Sequence, residues 1–181
     1  PAQAFLAVVD YQGTIGEEDC EITVNCTENL PFAVTTDLSN PTWQVVEMHR
    51  FGTFRVWDYV ENDADVKVTE MSSNKEGVSD DSKLWCLTGN LIDGFKIYNK
   101  KAGTTVTLNA TSGTAKVGAA AEGNDVWKLK KSSATNDPAA CFTNDGSNCM
   151  NQQDGFIKYW SSADNGSTCY FFKPSVKVLE A

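Results

Sequence analysis

Short runs of β-branched and aromatic residues, separated by Gly, Asn and Asp, fill most of this chain of 181 residues. Within the runs apolar and polar residues alternate, as in Phe54-Arg55-Val56-Trp57-Asp58 and Phe95-Lys96-Ile97-Tyr98-Asn99. A period of two is typical of β-strands, and no long stretch has the 3.6-residue period of a helix. The alanine-rich residues 114–121 are short and contain a glycine, so we expect strand or irregular structure there. The pattern predicts an all-β protein.

A second, longer period is set by tryptophan. Trp43, Trp85 and Trp127 are each 42 residues apart, and a further 42 residues leads to Cys169-Tyr170. Each position opens a similar apolar stretch. A fixed period of 20–50 residues indicates repeated supersecondary units. We therefore expect three repeats beginning near the three tryptophans, which should occupy equivalent, buried positions.

The number of strands per repeat narrows the fold class. Further strands are expected at Val66–Val68, Val106–Leu108 and Phe156–Trp160, which gives about four short strands in each repeat. This arrangement favours a β-trefoil over a sandwich, because closing the barrel also removes unpaired edges. The prediction is an all-β, β-trefoil domain over residues 43–173. Residues 1–42 would form an N-terminal β-stranded extension or the remnant of an upstream domain, and 174–181 a C-terminal tail.

Candidate binding residues follow from the alternation in the two matched strands. Phe54, Val56, Phe95 and Ile97 should face the core, and the alternate residues should face outward. An outward aromatic ring can stack on a sugar, and neighbouring cations or amides can bind its hydroxyls. Trp160, between Lys158 and Asp164-Asn165, offers the same combination. The sugar-binding candidates are therefore Arg55, Trp57, Lys96, Tyr98 and Trp160. A matched series of Asp58, Asn99 and Asn144 is expected to hold turns by bonding the backbone.

Charge and residue inventory exclude several function classes. The formal net charge is -9 and the pI about 4.5, which argues against nucleic acid and anionic membranes as partners. No apolar run is long enough to span a membrane. His49 is the only histidine, and we expect it in an exposed hairpin turn. With no nucleophile, phosphate-loop or zinc motif, no catalytic activity, metal or cofactor is predicted. The acidic residues between Asp58 and Asp65 lack the spacing of a calcium loop and should be a solvated loop.

The six cysteines form an even set in a chain rich in polar residues. Such a set favours a secreted or cell-surface setting with disulfides, the alternative being buried free thiols. Cys141 and Cys149 flank an Asp145-Gly146 turn signal, and a hairpin there would bring them within bonding distance. We predict a Cys141–Cys149 disulfide. Cys20, Cys26, Cys86 and Cys169 are left unassigned.

Several segments resemble a known family. They are Pro31–Thr36, Leu84–Asn90, Asp93–Gly103, Tyr159-Trp160 and Asp164–Ser167. Together they resemble the ricin-B-lectin-like β-trefoil accessory domains of secreted Bacteroidetes proteins, over about residues 31–173. The resemblance implies a non-catalytic carbohydrate-binding or adhesive module whose partners are a glycan or glycoprotein and other domains of a larger parent protein. The alternative is a protein–protein interaction module, either a structural spacer or a Kunitz-type-like protease inhibitor.

Overall fold

A computed structural model describes residues 30–50, 53–71, 78–111 and 113–174 of the chain. The described residues contain no α-helix and form twelve strands. The strands are β1 Val45–Arg50, β2 Thr53–Asp58, β3 Lys67–Glu70, β4 Trp85–Asn90, β5 Gly94–Asn99, β6 Thr107–Thr111, β7 Thr114–Gly118, β8 Lys128–Lys130, β9 Cys141–Thr143, β10 Cys149–Gln153, β11 Phe156–Trp160 and β12 Cys169–Phe172. Two short 3-10 turns are Asp81–Lys83 and Asn165–Ser167. Expectations for residues 1–29, including Cys20 and Cys26, lie outside the described residues.

Six strands close into a barrel. β12 pairs with β1, β4 with β5 and β8 with β9, all antiparallel. Three single bridges join these pairs into a ring, namely Gln44–Trp85, Phe95–Trp127 and Ala140–Cys169. The ring order is therefore β1, β4, β5, β8, β9, β12. A ring leaves none of its strands at an open edge.

The other six strands form three hairpins, β2–β3, β6–β7 and β10–β11. Each hairpin forms one bridge pair with each of the other two, and the three bridge pairs are Lys67–Phe156, Lys158–Thr114 and Lys116–Asp65. Lys67, Lys116 and Lys158 hold one position in their hairpins, and their partners Phe156, Asp65 and Thr114 hold another. The hairpins are therefore related by a pseudo-threefold axis. With the barrel, this arrangement is a β-trefoil whose repeats consist of β1–β4, β5–β8 and β9–β12.

These bridge pairs, together with the pairing within each hairpin, identify equivalent residues in the three repeats. Trp57, Leu108 and Met150 occupy one such position, and all three are fully buried in the main core. Val66, Ala115 and Ile157 occupy another and are also buried. The pseudo-threefold axis therefore runs through a continuous apolar core.

The segment before β1 packs on the barrel. Phe32 is buried, and its ring centroid lies 5.0 Å from Phe95, 6.0 Å from Phe142 and 4.9 Å from Phe171, which belong to three different barrel strands. The backbone of Ala33 exchanges two hydrogen bonds, of 2.8 and 3.0 Å, with the side chain of Gln44. The described residues immediately upstream of Trp43 are thus fastened to the trefoil.

The expected burial and equivalence are confirmed for two of the three tryptophans, but neither begins a repeat, because Trp85 begins β4 and Trp127 directly precedes β8, the last strands of the first and second repeats. Trp85 and Trp127 are fully buried, and each bridges to a neighbouring barrel strand. Their indole N–H groups donate to the carbonyls of Trp57 and Leu108, at 3.1 and 2.8 Å, which are equivalent acceptors. Cys169 takes the corresponding place in the third repeat. The expectation for Trp43 is wrong, because Trp43 precedes β1, is half-buried and packs on a separate cluster around Val45 and Val56.

Candidate functional site

A groove lies on the outward face of the β10–β11 hairpin and has a volume of about 460 Å³. Along β10, Met150 and Gln152 point into the core, so the alternate residues Asn151 and Gln153 lie on the other face. Trp160, at the end of β11, lies beside them and remains 46% exposed. It is one of only two large hydrophobic side chains that are exposed among the described residues.

A tight turn forms one end of the groove. Asp154 and Gly155 connect the two strands with φ of 55° and 80°. Both angles are left-handed, which a hairpin turn of this kind requires and which Asp, Asn and Gly tolerate best. The Asp154 carboxylate lies 3.3 Å from the Nζ of Lys158 on β11, and the Asp154 side chain is 81% exposed.

The opposite wall is the loop between β11 and β12. The Asn151 amide donates to Asp164 Oδ1 at 3.1 Å and to Ser167 Oγ at 2.9 Å. Ser167 in turn donates to the carbonyl of Ser162 at 2.7 Å. Gly166 lies so close that an added Cβ would be 3.0 Å from the Asn151 amide nitrogen. The Asn151 side chain is therefore held in one position by the loop.

These groups together suit a polyhydroxylated ligand. The exposed indole of Trp160 offers an apolar surface, and the polar side chains that line the groove are those of Asn151, Gln153, Asp154, Asp164 and Asn165. Carboxylates accept hydrogen bonds, and the amides of Gln153 and Asn165 can both donate and accept them. The Asn151 amide can only accept from a ligand, because its two N–H groups already donate to Asp164 and Ser167. A pyranose has the matching chemistry, since it carries an apolar face and a ring of hydroxyls.

The other four sequence-predicted binding residues lie outside this groove. Trp57 is fully buried, with its ring centroid 5.7 Å from that of Trp85, and Tyr98 is buried as well. Arg55 forms an ion pair with Glu70 at 3.4 Å, and Lys96 forms one with Asp125 at 3.5 Å. The expectation that Trp57 and Tyr98 face solvent is wrong, because Trp57 lies in the main core and Tyr98 is covered by its neighbours.

Asn151, Gln153 and Asp154 were missed by sequence reasoning. The signal that could have found them is Asp154-Gly155, a hairpin-turn pair directly before the predicted strand of Phe156–Trp160. That pair places Asn151 and Gln153 on a strand paired with Trp160 and on the same face.

The predicted Cys141–Cys149 disulfide is absent. Cys86, Cys141, Cys149 and Cys169, the four described cysteines, are buried free thiols. Cys141 lies in the barrel and Cys149 in a hairpin, so the segment between them is a connection between two layers and not a hairpin of its own. Burial raises the pKa of the Cys149 thiol, directly across from Trp160, to about 11.

No cluster of three or more metal-ligating side chains occurs within the part of the chain that the structure describes. His49 lies in β1, paired with Phe54, and not in a turn. Nor do the described residues include a helix long and apolar enough to cross a membrane.

Comparisons with known proteins agree with the architecture. No known family profile matches the chain, and no curated protein matches its sequence. Solved structures do match. SeviL, bound to the asialo-GM1 saccharide, has a TM-score of 0.55 at 10% identity and covers 74% of this chain and 98% of its own. The BEL beta-trefoil has a TM-score of 0.52 at 14% identity and covers 77% and 95%.

A third match is part of a larger protein. A mosquitocidal holotoxin has a TM-score of 0.57 at 13% identity, covering 74% of this chain but only 17% of the toxin chain. This chain therefore corresponds to a small part of that protein. At these identities the likeness establishes the fold, and the fold is an all-β trefoil.

Proposed function

We propose that this domain is a carbohydrate-binding module that holds a saccharide in the groove around Trp160. The observation that carries the proposal is the exposed indole of Trp160 beside a fixed amide, Asn151, and the carboxylates of Asp154 and Asp164. The other large aromatic side chains of the described residues are buried or partly buried. One of the matched structures, SeviL bound to the asialo-GM1 saccharide, supports the same function.

The module is proposed to be non-catalytic and to serve a secreted or cell-surface parent protein, like the Bacteroidetes accessory domains that its sequence resembles. The free state of the four described cysteines removes disulfide bonding at those residues as an argument for secretion. The polar composition and the family resemblance remain as support for a secreted or cell-surface location.

Titration of neutral oligosaccharides against the wild-type chain, followed by tryptophan fluorescence and calorimetry, tests the binding. We expect weak affinity, of roughly millimolar dissociation constant or about 4 kcal/mol, because a shallow groove offers few contacts. Trp160→Ala should weaken binding by about tenfold or more, and Trp160→Tyr should retain most of it because a ring still covers the sugar. Recovery of the saccharide unchanged after the titration would support the absence of hydrolysis.

Trp57→Phe serves as the control, since Trp57 is buried and should affect stability without affecting affinity in the folded protein. Binding that is unchanged in folded Trp160→Ala would contradict the proposed site. Binding lost in Trp57→Phe but kept in Trp160→Ala would place the ligand elsewhere.

A further inference from the structure

The charges around the groove carry an inference about which glycans it accepts. Two lining residues, Asp154 and Asp164, carry carboxylates, and none of the lining residues is basic. The basic residue of the β10–β11 hairpin is Lys158, which forms an ion pair with Asp154 at 3.3 Å. Counting all three groups, the groove has a net charge of about -1.

The two carboxylates have different surroundings. Asp164 accepts a hydrogen bond from Asn151 at 3.1 Å, and no basic side chain of the described residues forms an ion pair with it. Asp154 sits at the turn and is mostly exposed. A ligand bound on Trp160 would therefore lie beside two carboxylates. That of Asp164 is uncompensated, and that of Asp154 is paired with Lys158.

We propose that the groove selects uncharged saccharides and rejects sialylated or sulfated ones. This inference rests on the proposed function and specifies its ligand class. A like charge placed about 6 Å from a carboxylate in a nearly aqueous setting weakens binding by about threefold. Because Lys158 offsets the charge of Asp154, the repulsion in the groove corresponds to about one carboxylate. The acidic chain as a whole, with its net charge of -9, adds to the repulsion at low salt.

Asp154→Asn is the informative substitution. Asn tolerates the left-handed backbone at this position, where φ is 55°, so the hairpin turn should be retained. The change removes one negative charge and releases Lys158 from its ion pair, which brings the net charge of the groove close to zero. Glu122→Gln is the matched control, because Glu122 is exposed, lies outside the groove and changes the total charge equally.

The experiment uses an array of neutral oligosaccharides printed beside their sialylated and sulfated forms, with the best neutral and charged pair then titrated in solution. Wild type should prefer the neutral form by about threefold or more. Asp154→Asn should reduce that preference by about threefold, Glu122→Gln should not, and raising the salt from about 0.02 to about 0.5 M should also reduce it.

Equal or tighter binding of the charged form would overturn the selectivity, while neutral binding that depends on Trp160 would still support the proposed function. A preference that Asp154→Asn and salt both leave unchanged would overturn it too, because the selection would then be steric. If no pair binds at all, both proposals are wrong.

Discussion

The environments of Trp57 and Trp160 show how strongly a single side chain depends on what covers its strand. Trp57 lies in β2, where Val56 faces one apolar cluster and Trp57 faces the other, so both faces are buried. Trp160 ends a hairpin whose outward face is covered only in part, by the loop after it. Alternation in the sequence correctly separates two faces, but it does not show which of them meets solvent.

Polar residues at the ends of barrel strands show a similar division of roles. Asn99 accepts hydrogen bonds from the backbone N–H groups of Lys101 and Ala102 and so holds its turn, as predicted. Asn144 instead bonds the carbonyls of Ala110 and Asn124 and accepts from Tyr159. The turn after it is held by Asp145. Burial raises the pKa of Asp145, but hydrogen bonds from Asn148 and Ser147 outweigh this and lower it to about 2.

The buried thiols predict a loss of stability in alkali. Burial raises the pKa of Cys86 and of Cys149 to about 11 each. Their unfolded-state pKa is lower, so the unfolded chain loses these protons first and stability falls as pH rises from about 9 to about 11. Each thiol should contribute a loss of about 1–2 kcal/mol by pH 10.5. Urea unfolding at pH 8 and pH 10.5 measures it.

Cys86→Ala and Cys149→Ala together provide the comparison for that measurement. The double variant will be less stable at both pH values, because it loses buried volume, but its stability should depend less on pH. An equal slope in wild type and double variant would show that other groups cause the alkaline loss. Tyr159 is one such group, because burial raises its pKa to about 12.

At the scale of elements, the two equivalent tryptophans set up a direct comparison. Trp85→Phe and Trp127→Phe each remove a buried indole that donates to an equivalent carbonyl. Both should destabilise the protein by about 2–3 kcal/mol, from the lost volume and the unpaired acceptor. Trp43→Phe, at a half-buried position, should cost less than about 1 kcal/mol. Denaturant midpoints of the three variants would contradict this ranking if Trp43→Phe were the most costly.

The 42-residue period could be read from the sequence because Trp85, Trp127 and Cys169 share one structural position. The sequence does not show that Trp43 lies outside this series. It precedes Trp85 by the same 42 residues, although it does not occupy the equivalent structural position. The sequence match between Phe54–Asp58 and Phe95–Asn99 also does not mark equivalent strands. One belongs to a hairpin and the other to the barrel, and both kinds of strand alternate apolar and polar residues.

Most strands of the trefoil were predictable because each is short and bounded by turn residues. β11, at Phe156–Trp160, matches its predicted bounds, and the alanine-rich segment is the strand β7. The groove was only partly predictable. Trp160 is conspicuous in the sequence, but Asn151 reaches it only through the pairing of β10 with β11 and the loop that holds its amide.

At the scale of the whole molecule, the pseudo-threefold axis raises the question of how many such grooves the trefoil carries. The residues equivalent to Trp160 are Thr69 in the first repeat and Gly118 in the second. Thr69 donates a hydrogen bond to Asp58 at 2.9 Å and offers no ring. Gly118 offers no side chain, and an added Cβ would lie 2.2 Å from Asp63 Oδ1, so a larger residue there would have to displace the Asp63 carboxylate. Among the described repeats, only the third has an aromatic platform at this position.

We therefore expect one saccharide bound per chain. Calorimetric titration of the wild-type protein, at a concentration near the dissociation constant of the best oligosaccharide, should give a stoichiometry near one, and Trp160→Ala should weaken that single class of site by about tenfold or more. A monovalent protein cannot cross-link cells or glycoproteins, so the monomeric chain should fail to agglutinate erythrocytes or precipitate a multivalent glycoprotein at concentrations that saturate binding. A tandem fusion of two copies should gain this activity and lose it when both copies carry Trp160→Ala. A stoichiometry of two or three, or agglutination by the monomer, would mean that Thr69 and Gly118 do not prevent binding in their repeats.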